Sequence, residues 1–358
     1  MKMIGIVIPN LDIGGAERWV ANVSRMLCER GHQVEVFILE NKVEQQLAPQ
    51  VRLTILDPSK SISGSFLARI SYARKLRRTF ASRGRFDLVI STLPYADQIT
   101  HMAGLRSAYC RIANTFSQEI ACLGTAKGRR RLRRYRAIYA HKNLIAVSAG
   151  VKDDLVDFIG IEENRIRVIH NPIERDLLQQ QAGELSFGIP TEAYIIHSGR
   201  FTTQKRYDIL LDAWKLFKKN SPINCLVLLT QDNEKLQKMI RKRGLEGSVL
   251  VAGFQKNPYP WVRRAKCLVL SSEREGMPNV LLEALALGVP VASTDCPSGP
   301  GELLAQRHPQ ALARLNDPAS LAKSIEYATG ANFHDIDQIL APFKPLYVID
   351  NILNLGAD

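Results

Sequence analysis

Six cysteines are all that 358 residues provide, and no two of them form a C-x-x-C pair. Cys28, Cys110, Cys122, Cys225, Cys267 and Cys296 are scattered, which argues against a zinc ribbon or a disulfide framework and fits a reducing compartment. The seven histidines form no H-E-x-x-H, so no metal site is expected. Long apolar runs are missing as well. The run Met3–Ile8 is too short for a signal-peptide core, and nothing approaches the ~20 apolar residues of a membrane span. Aromatic residues make up only 7% and accompany no recognition motif, which speaks against a nucleic-acid partner. Acid is scarce in one stretch: residues 66–142 hold 17 basic side chains and 3 acidic ones. The whole chain carries +13, nearly all of it in residues 1–170. So uneven a charge implies an anionic partner for one face of one domain.

What is present is an ordinary globular composition, 46% hydrophobic and 23% charged, in a chain long enough for two domains. Short apolar runs alternate with helical patterns. Strands are expected at Met3–Ile8, Gln33–Leu39, Arg52–Leu56, Leu88–Ser91, Tyr109–Ala113 and Asn143–Ala146, with a helix Ala16–Arg30 stopped by Gly31. The pattern restarts at Tyr194–Ser198, Asn224–Leu229, Val249–Ala252, Cys267–Leu270 and Pro290–Ser293. Helices are expected there at Tyr207–Lys219, Asn233–Arg243 and Val280–Ala286. Such alternation implies parallel, doubly wound sheets, and the fold class reads as α/β, two Rossmann-like domains facing a cleft. The expected boundaries are 1–170 for an N-terminal, acceptor-side domain, 171–190 for a linker and 191–335 for a C-terminal, nucleotide-sugar-binding domain. Residues 336–358 form a C-terminal segment able to pack back on the N-terminal domain.

Three segments carry candidate chemistry. Asn10-Leu11-Asp12-Ile13-Gly14-Gly15-Ala16-Glu17 runs from a strand into a helix, and Gly14 and Gly15 let the backbone approach a phosphate or a sugar ring. A plain tight turn has the same sequence. His197-Ser198-Gly199-Arg200 through Lys205 ends a strand in glycine and adds two cations five residues apart, a set suited to a diphosphate but also to a solvated loop. In Glu275-Gly276-Met277-Pro278-Asn279-Val280-Leu281-Leu282-Glu283, two carboxylates flank a helix start. Pro278 suits the first turn, and the N–H groups beyond it, at Asn279 and Val280, are placed to grip phosphate. Two basic stretches, Leu67–Arg85 and Lys127–Lys142, are helix-compatible. In the second, Leu132, Tyr135, Ile138 and Tyr139 share one side, as in an interfacial helix on anionic lipid or in a helix packed on its own domain.

Taken in order, Gly14-Gly15-Ala16-Glu17, Gly199-Arg200…Lys205, Gly253-Phe254 and Glu275-x7-Glu283 followed by Ala-Leu-Gly-Val-Pro-Val resemble the retaining family-4 glycosyltransferases of GT-B fold. The resemblance runs over about residues 1–320. It implies that Arg200 and Lys205 hold a donor diphosphate, Glu275 the transferred sugar, Glu283 the ribose, and Gly15 the phosphate or sugar from the other domain. It also implies retention of configuration, no metal and no cofactor, with a nucleotide diphosphate sugar (a UDP-sugar) as donor substrate. The acceptor it implies is an anionic glycan or a lipid-linked glycan of surface polysaccharide synthesis. A protein of this kind is expected in the cytoplasm, peripherally on the inner membrane face. An epimerase or hydrolase of the same fold, acting on the donor alone, is the rival reading. Three departures stand out. Arg206 follows Lys205 where the family has glycine, Thr230-Gln231-Asp232 replaces a Gly-Asp-Gly turn, and Asn114 or Thr115 occupies the place of a usual histidine.

Overall fold

The computed structural model describes residues 1–57 and 65–356. Two parallel sheets organise two units. The first sheet holds β1 (Met3–Ile8), β2 (Gln33–Glu40), β3 (Arg52–Asp57), β4 (Leu88–Thr92), β5 (Tyr109–Ile112), β6 (Asn143–Ala146) and β7 (Ile166–Val168), in the order β3-β2-β1-β4-β5-β6-β7. The second holds β8 (Tyr194–Ser198), β9 (Cys225–Leu229), β10 (Val249–Val251), β11 (Cys267–Leu270), β12 (Val291–Thr294) and β13 (Leu312–Ala313), in the order β10-β9-β8-β11-β12-β13. In each, the chain winds outward from the first strand one way and then the other. The reversal falls between β1 and β4 and between β8 and β11, where open α/β sheets bind ligands. Gly14-Gly15 follows β1 and Gly199 follows β8, so both glycine loops sit at a reversal.

The central strands are nearly continuous apolar runs because helices cover both faces of each sheet. On one face of the first sheet, Phe37, Phe80 and Phe86 pack ring against ring at 4.6–5.7 Å. Gly5 in β1 lies beneath them: a Cβ there would stand 3.2 Å from Phe86 and 3.3 Å from Phe80, closer than side chains settle without displacement. On the other face, helix Gly15–Glu29 contributes Trp19, Val20, Val23 and Leu27. Val348, Ile349 and Ile352 of helix Pro345–Leu353 join the same cluster, and Arg30 pairs with Asp350 at 2.7 Å. The first unit therefore comprises Met1–Pro172 plus Pro345–Asp358, and the second Ile173–Lys344. Residues 171–190 contain helix Arg175–Ala182, whose Arg175 and Gln179 donate to the Ala286 carbonyl oxygen within the second unit. In that unit Trp214, Leu210 and Leu211 of helix Tyr207–Phe217 pack with Leu226, Leu228 and Val269.

Candidate functional site

In the second unit, the loops following β8, β11 and β12 are stitched together by side chains bonding to backbone. Ser271 donates its hydroxyl to the Lys205 carbonyl at 2.6 Å, and Gln204 donates to the Arg274 carbonyl at 2.8 Å. Ser298 donates to the Glu275 carbonyl at 2.5 Å, and Thr294 to that of Ser272 at 2.6 Å. Gly299 lies at φ +86°, and a Cβ there would come within 2.5 Å of Pro278 Cδ and 2.9 Å of the Gly276 oxygen. Glycine alone combines that backbone with that approach. The segment Ser298-Gly299-Pro300 thus props the Glu275–Pro278 loop, a support the sequence reading did not identify, although Gly between Ser and Pro is itself a turn signal.

Lys205 and Glu275 meet: Nζ lies 2.6 Å from Oε1, and both side chains are largely buried. Gly199 donates its N–H to Leu229 and accepts from the Tyr207 hydroxyl at 2.6 Å, so the glycine turn is held from β9 and from the next helix. Arg200 is exposed and has no ion pair among the described residues. Pro278 is the residue before helix Asn279–Ala286, with ψ 97°, one position earlier than the first-turn placement expected; its carbonyl accepts from Leu281 and Leu282. Asn279 and Val280 are half-buried at that helix start, and Glu283 is buried on the same helix. The structure thus gathers Gly199, Lys205 and Glu275 at the β8–β11 reversal.

In the first unit, Gly14 precedes helix Gly15–Glu29 in extended conformation. A Cβ there would lie 2.3 Å from Glu17 Oε2, so any larger residue would displace that carboxylate from the turn. Beside this turn is a residue the sequence reading passed over, Arg111 at the end of β5. Its guanidinium lies buried 4.3 Å over the Trp19 ring and donates to Asn171 Oδ1 at 2.6 Å. Burial pulls its pKa down, opposed by the charges of Asp97 and Glu17. A lone charge inside an apolar strand was the available signal. Asn114 Oδ1 accepts from the N–H of Thr115, and the Thr115 hydroxyl is buried with no partner among the described residues.

Helix Thr125–Tyr139 places its apolar residues inward. Tyr135, Ile138 and Tyr139 are buried, Tyr135 packing at a tilt against Phe116 with ring centroids 4.2 Å apart, and Leu132 is half-buried. Lys142 is buried too, donating to the Leu105 carbonyl. What faces water is Lys127, Arg129, Arg130, Arg133 and Arg136. An apolar stripe for lipid insertion does not exist on this helix. Among the described residues, no helix is long and apolar enough to cross a membrane.

Known proteins resemble the chain along most of its length. Residues 13–177 match the family model Glycosyltransferase Family 4, and residues 186–330 match Glycosyl transferases group 1. An uncharacterized glycosyltransferase of Methanocaldococcus jannaschii is 33% identical over 180 residues, 48% of this chain and 44% of that protein. The lipopolysaccharide 1,6-galactosyltransferase of Escherichia coli is 32% identical over 218 residues, 57% of each. The chain thus spans about half the length of these two relatives. A protein of Campylobacter jejuni, named N-acetylgalactosamine-N,N'-diacetylbacillosaminyl-diphospho-undecaprenol 4-alpha-N-acetylgalactosaminyltransferase, is 25% identical over 91% of this chain and 90% of its own. Among solved structures, sucrose-phosphate synthase from Thermosynechococcus elongatus superposes with TM-score 0.80 at 16% identity, covering 100% and 98% of the two chains. Anabaena HepE in complex with UDP-glucose gives 0.74 at 17%, covering 99% of both. A glycosyltransferase family model thus matches each unit, and solved structures of 16–17% identity share the two-sheet fold throughout.

Proposed function

We propose that the protein is a retaining glycosyltransferase that carries a sugar from a UDP-sugar to a glycan or lipid-linked acceptor in surface glycoconjugate synthesis. The observation that carries this reading is the Lys205–Glu275 pair beside Gly199, with Arg200 exposed next in sequence. Arg200 and Lys205 take the donor diphosphate and stabilise the negative charge that grows on it as the glycosidic bond breaks, so two fixed cations serve where other enzymes use a metal. Glu275 accepts from hydroxyls of the transferred sugar, Glu283 from the ribose, and the start of helix Asn279–Ala286 offers N–H groups to phosphate. Glu275 is the counter-ion of Lys205, and a diphosphate replaces it there. The exposed arginines around 127–142 then serve an anionic acceptor or an anionic membrane surface, by charge alone. The Campylobacter jejuni relative, whose name includes a diphospho-undecaprenol carrier, supports an acceptor of this class.

The test is calorimetry with UDP. A charge-assisted hydrogen bond contributes roughly 1.5–3 kcal/mol, so Arg200→Ala and Lys205→Ala should each weaken UDP binding more than about tenfold and abolish transfer. Unchanged affinity in both would remove these residues from the donor site. Consumption of UDP-sugar at the same rate with and without acceptor would favour the hydrolase or epimerase reading instead.

A further inference from the structure

The second unit buries a hydrogen-bond acceptor that has no donor. His197, in β8, is fully buried, its ring edge-on to Tyr207 with centroids 4.9 Å apart. Nδ1 lies 2.8 Å from the carbonyl oxygen of Val269 in β11. A carbonyl only accepts, so Nδ1 carries the proton. Burial pulls the ring's pKa down to about 4, with the nearby Lys205 charge acting in the same direction, and the ring is neutral near pH 7. Nε2 is then a bare lone pair, with no hydrogen-bond partner among the described residues. Buried acceptors are almost always satisfied, and the exceptions call for a reason.

The reason is visible two residues along. Gly199 has no side chain, and a Cβ built on it would stand 3.5 Å from His197 Nε2 and 3.4 Å from Lys205 Cε. A methyl group there would touch both the imidazole and the lysine stem, and glycine leaves that space open. On the lysine side the proton-bearing group is the Lys205 ammonium, which Glu275 holds. An ammonium has three donors, enough for a phosphate oxygen and an imidazole at once.

We propose that His197 is a positioning residue for Lys205: when a diphosphate draws the ammonium from Glu275, Nε2 accepts one of its hydrogens and fixes its direction. The proposal rests on Lys205 being a diphosphate ligand. It gives Gly199 a second purpose, because a methyl there would touch both groups and crowd their approach. It also explains why a buried imidazole is left half-satisfied beside a cation, an arrangement that by itself only costs stability.

Calorimetry of the full chain with inorganic diphosphate tests this, each variant being checked by thermal unfolding. His197→Phe should weaken binding about tenfold, the loss of one hydrogen bond from a charged donor. His197→Gln, whose amide offers an N–H to Val269 and an oxygen to Lys205, should keep most of the affinity. In a Lys205→Ala background, His197→Phe should add nothing, since the histidine acts through the lysine. Additive losses in the double variant, or unchanged binding by His197→Phe while Lys205→Ala weakens it, would overturn the proposal. Unchanged binding by Lys205→Ala would fail the donor-site reading itself and the proposal with it. Should His197→Phe not fold, nitrogen NMR of the wild type decides. The Nε2 resonance should move to that of a hydrogen-bonded acceptor on adding diphosphate and stay put in Lys205→Ala; an unmoved wild-type resonance overturns the idea.

Discussion

Arg206 shows how one residue departs from a family pattern and still fits. It stands at φ 44° and ψ 55°, the left-handed region that glycine enters freely and other residues enter at a cost of roughly 1–2 kcal/mol. Its guanidinium binds both oxygens of Asp208, at 2.9 and 2.7 Å, and Asn316 Oδ1. These part-exposed ties offset some of the strain. Arg206→Ala keeps the strain and loses the ties, whereas Arg206→Gly loses both. Urea unfolding should therefore rank Arg206→Gly above Arg206→Ala by about 1 kcal/mol, and the reverse order would contradict this account. The two acids should also separate. Glu283→Ala, deep on helix Asn279–Ala286, should chiefly weaken UDP affinity, while Glu275→Ala should lower turnover with UDP still bound. Equal loss of UDP affinity in both variants would remove the distinction.

Helix Thr125–Tyr139 is where element-level reasoning had two outcomes. Its apolar residues had two possible uses from sequence, and packing chose the domain: Tyr135 and Tyr139 close over Phe116, and Arg131 pairs with Glu119 at 2.5 Å. What remains for a partner is charge. Each basic residue close to an anionic bilayer contributes about 1 kcal/mol, screened within a Debye length of about 8 Å at physiological salt. Replacing Arg129, Arg130, Arg133 and Arg134 with Gln should release the protein from phosphatidylglycerol vesicles and leave UDP binding unchanged. Equal sedimentation of both proteins with vesicles would assign these arginines to the solvent alone. Raised salt should detach the wild type in the same way.

At the scale of the whole molecule, the first unit carries a buried acid that links its stability to pH. Asp97 accepts from Ser91 at 2.5 Å and from Tyr139 at 2.8 Å, with Cys110 and Lys142 nearby. Burial, the largest cause, raises its pKa from 3.8 to about 7. Between those values the folded state holds a proton that the unfolded state releases, so stability falls as pH rises through the window. The full penalty, on the order of a few kcal/mol, is present above pH 7. Urea unfolding at pH 5 and pH 8 should show a larger loss for the wild type than for Asp97→Asn. An equal loss in the two proteins would mean the carboxyl is not the linked group.

Much of this architecture was legible in the residues. Apolar runs of three or more mark the central strands, because burial on both faces favours apolar side chains. β7 and β13, three and two residues long, carried too little pattern to be seen. The sequence by itself determined the alternation of strand and helix, the glycine turns at Gly14 and Gly199, and the identities of Lys205, Glu275 and Glu283 as a candidate set. Tertiary structure alone decided three further things. It brought Lys205 to Glu275 across 70 residues, left His197 Nε2 without a donor among the described residues, and seated Arg111 over Trp19. Each depends on which strands become neighbours. Pairing between strands distant in sequence is set by the packing of whole faces, which no local periodicity records.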